Sequence, residues 1–573
     1  MNSFRISLIS TLFLSLLLLF VGQAQAIPPG PINCPAPVAK NDLQSLVGAE
    51  DIVGYTVVSG TTPVPFQVDV LGVENNAWEP GDQIIIARGS GPAIDAAGGS
   101  IAAGMSGSPV YTSDGRLIGA LAYGFTMGPN DIMGITPAYQ MYGDYQPIPT
   151  AARAPKRQPD SVSSRMAPLP TPMTITGLSR DKIPTGLAKL AKRSNLLLVP
   201  EGSGAGAASR STLAAPDFSA AGVVAGSLSL GRTSMTGIGT ITAVCGDQFL
   251  AFGHPFLGDP NSRGIVSAGE IFTMVNDPTL GSFKWGVATE RVGLMNIDNT
   301  YAIGGIIGQE AQTIPVRGKV YKRSTKPTQR LFTEIARMPI NNRGQAQYFM
   351  AEAAALALAN ETYKLDESYY SRTTTRGSWM IKGEANGKPF TWVRSDAWAG
   401  YEEDVAYAFY DDLYSLVNVA SVWSNQKLKI NSVDVDLEQS RGAQFLAVKD
   451  VSYREPGEKK WQPVIKRKAV LEGESGRVTL RVRFENSATG RIINKILPFQ
   501  LEGKARAGLV RIAPDSGKPQ SARTVEDVLA ELKKSSSTRL VIKTKRAVAL
   551  KSAPLLFKTP FADRSVRVKI KRG

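Results

Sequence analysis

One histidine and two cysteines are all that this 573-residue chain offers. With a lone imidazole and no C-x-x-C pair, a zinc centre built from His and Cys ligands cannot be assembled. No cofactor is expected. The run Gly202-Ser203-Gly204-Ala205-Gly206 lacks both the G-x-G-x-x-G spacing and the preceding strand of a dinucleotide site. Long apolar runs are missing as well, apart from one between Leu8 and Val21. That run follows a basic start and leads to Ala24-Gln25-Ala26, the pattern of a secretory signal peptide removed after Ala26. An uncleaved anchor is the alternative, for which the run is short. The mature protein is therefore expected to be exported, to a periplasm, cell envelope or extracellular space, and soluble.

Acidic residues fall short of basic ones, 49 against 65, for a formal charge of +16. Much of the excess sits late, in Lys459-Lys460, Lys466-Arg467-Lys468 and Lys569-Ile570-Lys571-Arg572. Such a surface favours an anionic partner, for example an envelope surface, although a solvated basic face is the plainer reading. Export argues against nucleic acid. A hydrophobic share of 43% excludes a disordered chain, and the length leaves room for several domains. In an oxidising compartment Cys34 and Cys245 are able to pair; two buried thiols are the alternative.

The pattern is mostly β. Short β-branched or apolar runs at 52–58, 66–73, 83–87, 110–111 and 117–123 are broken by turns, with Ser113-Asp114-Gly115-Arg116 as a hairpin. Seven prolines between 147 and 172 predict an extended linker, and the Gly/Ala/Ser stretch 201–213 a loop. Strand signals resume at 237–244, 248–252 and 301–307. Met350 to Asn360 predicts a helix. Alternation between Val433 and Leu501 predicts a β-sandwich, and Thr524-Val525-Glu526-Asp527 a helix cap.

Two short motifs carry chemistry. In Gly104-Met105-Ser106-Gly107-Ser108-Pro109, glycines flank a serine in a turn that exposes Oγ and aims backbone amides inward. Ser106 is the candidate nucleophile, and the amides of Gly104 and Ser106 are the candidate oxyanion donors. A glycine-rich turn linking two strands is the plainer reading. Ser108 stands where an α/β-hydrolase elbow needs glycine, which disfavours an esterase of that class. The only conventional base for Ser106 is His254, in Phe252-Gly253-His254-Pro255-Phe256. The alternative is a histidine packed inertly between two phenylalanines.

The segment Gly98 to Tyr111, with Asp114-Gly115-Arg116-Leu117-Ile118-Gly119-Ala120, resembles the nucleophile region of the SpoIVB-type serine peptidases. Gly239-Thr240-Ile241-Thr242 through Leu250-Ala251-Phe252-Gly253-His254 is similar to that family's histidine region. The resemblance covers roughly residues 50 to 315. It implies a chymotrypsin-like pair of β-barrels, Ser106 as nucleophile, His254 as general base, and a protein or peptide substrate. Here the serine precedes the histidine, so the barrels are permuted relative to the family. The family's acid has no counterpart in register, where Arg88-Gly89-Ser90-Gly91-Pro92 stands; Asp95 and Asp259 are the nearby candidates. No PDZ-like segment precedes the catalytic region.

The expected order is thus a signal peptide (1–26), a serine-bearing barrel half (27–146), a Pro-rich linker (147–195) and a histidine-bearing half (196–320). A mixed α/β region (321–430), a β-sandwich-like module (431–505) and a basic C-terminal segment (506–573) follow. Two functions compete: an exported endopeptidase or self-processing protein, and a catalytically weak peptidase-fold scaffold of the cell envelope.

Overall fold

In Pro63–Asn75 the side chains of Phe66, Val68 and Val70 are buried, while Gln67, Asp69 and Leu71 face water. Period-two alternation of this kind recurs along the chain and makes it a mainly β protein. The computed structural model describes residues 34–78, 80–125, 130–143, 162–176, 183–201, 218–322, 328–340, 346–365, 372–401, 404–423, 425–515, 522–534, 536–550, 555–562 and 565–573. The expected signal peptide and the 201–213 loop lie essentially outside them.

Six strands form the first barrel: β1 (Val53–Val57), β2 (Pro63–Asn75), β3 (Gln83–Ser90), β4 (Pro109–Tyr111), β5 (Leu117–Phe125) and β6 (Ile132–Pro137). They pair antiparallel in the cyclic order β4-β1-β2-β3-β6-β5, and β5 closes on β4. Closure leaves no open edge. Inside lie Phe66, Val68, Ile85, Val110, Ile118, Leu121, Met133 and Ile135. The expected hairpin between β4 and β5 is closed by hydrogen bonds between Thr112 and Arg116.

Six later strands build a second barrel, labelled β7 (Val223–Gly231), β8 (Met235–Cys245), β9 (Gln248–Ala251), β10 (Gly264–Asp277), β11 (Gly281–Asp298) and β12 (Ile303–Ile307). Antiparallel pairing runs β7-β10-β11-β12-β9-β8 and back to β7, a second ring of six. Cys34 and Cys245 form a disulfide with 4.6 Å between Cα atoms, fastening the first described residue to the end of β8.

The structure departs from the expected linker. Within 147–195, Thr171–Thr176 is a buried strand paired with β8, and Thr185–Arg193 is a helix burying Leu187, Leu190 and Ala191. Proline density dominated the sequence signal, yet Met173, Ile175, Leu187 and Leu190 supply an apolar face that an exposed linker does not need. The sheet containing the second barrel also continues through Thr313–Lys322, Thr328–Ala336, Leu428–Arg441, Arg372–Ala385 and Lys388–Tyr401. Two helices, Tyr348–Leu365 and Asp404–Val422, contribute to the same core.

The C-terminal boundaries shift too. Leu428–Arg441 runs parallel to Thr313–Lys322 and belongs to the large sheet, so the sandwich begins near Leu446. Residues 506–573 are not a tail: Ala507–Asp515, Ser536–Lys545 and Val566–Arg572 build the sandwich's second sheet. Without it the inward face of Leu480, Val482, Phe484 and Phe499 would stand open; Val510, Ile512, Val568 and Ile570 cover it. The Thr524 cap forms as expected, Asp527 N donating to Thr524 Oγ1 at 3.0 Å, and starts the helix Val525–Lys534.

Candidate active site

Hydrogen bonds onto the backbone of both motifs, made between the two barrels, bring them together. Thr240 N donates to Ser106 O at 2.8 Å, Thr242 Oγ1 to Gly107 O at 2.8 Å, and Thr136 Oγ1 to Gly253 O at 2.6 Å. Gly107 has φ +94°, and a Cβ there would stand 1.9 Å from Thr240 O, so only glycine lets the turn dock on β8. On the histidine side, Gly239 leaves room for the Phe252 ring: a Cβ there would meet it at 2.1 Å. Phe252 itself has φ +70°, a strained conformation for a bulky residue held by this packing.

The result is a hydrogen bond of 2.8 Å between Ser106 Oγ and His254 Nε2, across 148 residues of sequence. The other ring nitrogen, Nδ1, lies 2.7 Å from the carbonyl oxygen of Pro255. A carbonyl only accepts, so Nδ1 carries the proton and Nε2 is the bare acceptor for the serine hydroxyl. This is the tautomer a general base requires. Burial pulls the imidazole down to about 4, against the opposing hydrogen bond to Pro255, so it is neutral near pH 7.

The nucleophile turn has a second relevant property. The amides of Met105, Gly107 and Ser108 donate to the carbonyls of Ala102, Leu121 and Met105. Those of Gly104 and Ser106 meet no acceptor among the described residues. Two unspent donors, on Ser106 and two residues before it, have the spacing an oxyanion hole needs.

Neither acid candidate takes part. Asp95 is exposed on the short helix Pro92–Ala96. Asp259 is buried, but Oδ1 accepts from Asn261 N and Nδ2, and Oδ2 from Ala346 N. Both ring nitrogens of His254 are already engaged, and the third partner is the Pro255 carbonyl. A carboxylate search by sequence position has no means of finding a backbone oxygen.

Two further residues were not legible. Asp298 is fully buried at the end of β11 and accepts from Phe256 N at 2.8 Å and Leu257 N at 2.9 Å. It thereby pins the loop that presents the Pro255 carbonyl; burial raises its carboxyl, and those amides oppose the shift. It stands at the end of a strand whose polar residues and glycines dilute the alternation, so the sequence carried no signal for it. Lys284 is buried behind the nucleophile turn, with Nζ donating to Thr56 Oγ1 at 2.7 Å and Thr240 Oγ1 at 2.9 Å. Thr240 Oγ1 in turn donates to Gly104 O at 3.1 Å. Burial brings the Lys284 ammonium down to about 7. Nothing in Ser282-Phe283-Lys284-Trp285 marks it in the sequence.

The dyad is nearly sealed, with Ser106 2% and His254 1% exposed. Among the described residues no group of acidic, His or Cys side chains could hold a metal ion. No family model, no curated protein and no solved structure matches this chain.

Proposed function

We propose that this chain is an exported serine endopeptidase or self-processing protein, similar to the SpoIVB-type peptidases, with two chymotrypsin-like barrels in permuted order. The observation that carries the reading is the 2.8 Å contact between Ser106 Oγ and His254 Nε2, with Nδ1 held by a carbonyl. In this mechanism Ser106 Oγ attacks the peptide carbonyl carbon and its proton passes to Nε2. The oxyanion lies against the amides of Gly104 and Ser106. Nε2 then returns the proton to the leaving amine, and water repeats the sequence in reverse on the acyl-enzyme. The Pro255 carbonyl orients the ring as an aspartate would, but its dipole stabilises the imidazolium less than a full charge does.

Burial of the dyad supports a second reading, a peptidase-fold scaffold with a latent site. Fluorophosphonate labelling of the purified chain separates the two. The enzyme reading expects covalent modification at Ser106, absent in Ser106→Ala and slowed about 10²–10⁴-fold in His254→Ala. A folded wild type that does not label, or that labels as fast without His254, refutes it.

A further inference from the structure

Residues 446–573 hold 30 of the 65 basic residues and 12 of the 49 acidic ones, a surplus of 18 charges against +16 for the whole chain. The two sheets of the sandwich treat that charge differently. On the sheet containing Leu446–Arg454 and Arg477–Asn486, cations meet carboxylates: Arg483 pairs with Asp450 and Lys449 with Glu485, each at 3.1 Å. The other sheet buries Val510, Ile512, Val568 and Ile570 and turns the alternate residues outward.

Register lines those residues up. Arg511 stands between Lys543 and Arg567, and Leu509 between Lys545 and Lys569. Lys569 has Lys468 on its far side, and Lys571 lies between Ala507 and Val470. Seven cations thus share one face: Lys468, Arg511, Lys543, Lys545, Arg567, Lys569 and Lys571. None has an ion pair among the described residues, and all but Lys571 are exposed. Like charges directly opposite on neighbouring strands repel. A free face arranged in this way is destabilised, and an anionic surface laid on it relieves the repulsion.

We propose that this face docks the protein on an anionic lipid bilayer surface. Two exposed aliphatic residues flank the cations: Val470, 42% exposed at one edge, and Leu556, 72% exposed beside Arg539 at the other. Cations with an aliphatic border suit phosphate headgroups above acyl chains. The outward positions named here carry no aromatic ring on which a nucleic-acid base would stack. The inference is independent of the dyad and stands whether or not Ser106 is active.

The test is co-sedimentation of the full chain with phosphatidylcholine vesicles containing about 30% phosphatidylglycerol, and with phosphatidylcholine alone. Binding to the anionic vesicles alone is expected, with release between about 50 and 500 mM NaCl. Each cation strengthens such binding about fivefold, so Arg511→Glu/Lys543→Glu/Lys569→Glu weakens it more than about a hundredfold. The triple Lys189→Glu/Lys192→Glu/Arg193→Glu, on the exposed face of the helix Thr185–Arg193, makes the same change in net charge and retains binding. Reversal removes repulsion, so the first triple is expected to melt no lower than wild type. If it does melt lower, Arg511→Gln/Lys543→Gln/Lys569→Gln replaces it, with a smaller but clear loss expected. Equal loss in both charge-reversal triples, or binding to neutral vesicles, overturns the proposal. Retention on a single-stranded oligonucleotide without vesicle binding assigns the face to nucleic acid instead.

Discussion

A chain grown with histidine carrying carbon-13 at Cε1 contains one labelled site, because it contains one histidine. Its titration reads His254 directly. The buried ring is held down to about 4, from an ordinary value of 6.5. At 1.36 kcal/mol per unit, that difference is worth roughly 3 kcal/mol. The unfolded chain takes the proton first as pH falls, so stability is full above 6.5 and is lost progressively down to about 4. The assay follows the Cε1 resonance from pH 8 to the acid limit of the fold, with nitrogen-15 labelling to assign the tautomer. The expected result is a neutral ring with the proton on Nδ1 until well below pH 6. Acid unfolding should then be shallower in His254→Gln than in wild type across the same window. A midpoint between 6 and 7, or a proton on Nε2, would refute both the burial and the carbonyl assignment.

Other outcomes follow from neighbouring groups. Lys284→Met removes a buried ammonium brought from 10.5 to about 7. Its stabilising advantage over wild type in chemical denaturation is expected to be greatest below pH 7 and to vanish near pH 10.5, because the unfolded chain binds the extra proton between those values. Asp298→Ala leaves the buried amide of Phe256 and the half-buried amide of Leu257 without partners, so a loss of about 2–4 kcal/mol and of fluorophosphonate labelling is expected, measured by denaturation and mass spectrometry. Replacing Cys34 and Cys245 with serine opens a loop spanning 211 residues and is expected to cost about 2–5 kcal/mol, read as a lower midpoint without reductant and no change with it. Gly107→Ala meets Thr240 O and is expected to abolish labelling; unchanged labelling would show that the turn docks differently.

The barrel strands were legible where apolar runs were short and bounded, as at 66–73 and 117–123. Long strands such as Gly264–Asp277 and Gly281–Asp298 were not, because their polar residues and glycines dilute the alternation. The serine and histidine motifs stood out because few residue types perform that chemistry and the chain has one imidazole. The third partner did not, because a main-chain oxygen has no sequence signature. The sequence pattern starts the sandwich too early, and the strand of its second sheet at Val566–Arg572 carries a period-two signal, Arg567, Lys569 and Lys571 alternating with buried Val568 and Ile570, that the net charge of the segment overshadows.

The dyad is divided between barrels that each close on themselves, the first by Pro137 and the second by Ile307. During synthesis Ser106 therefore emerges well before His254. The half-made chain carries a serine hydroxyl with nothing to accept its proton, and the disulfide cannot form until Cys245 follows. On the proposed mechanism, the order of the parts alone withholds reactivity from the nascent protein until both rings have closed and met.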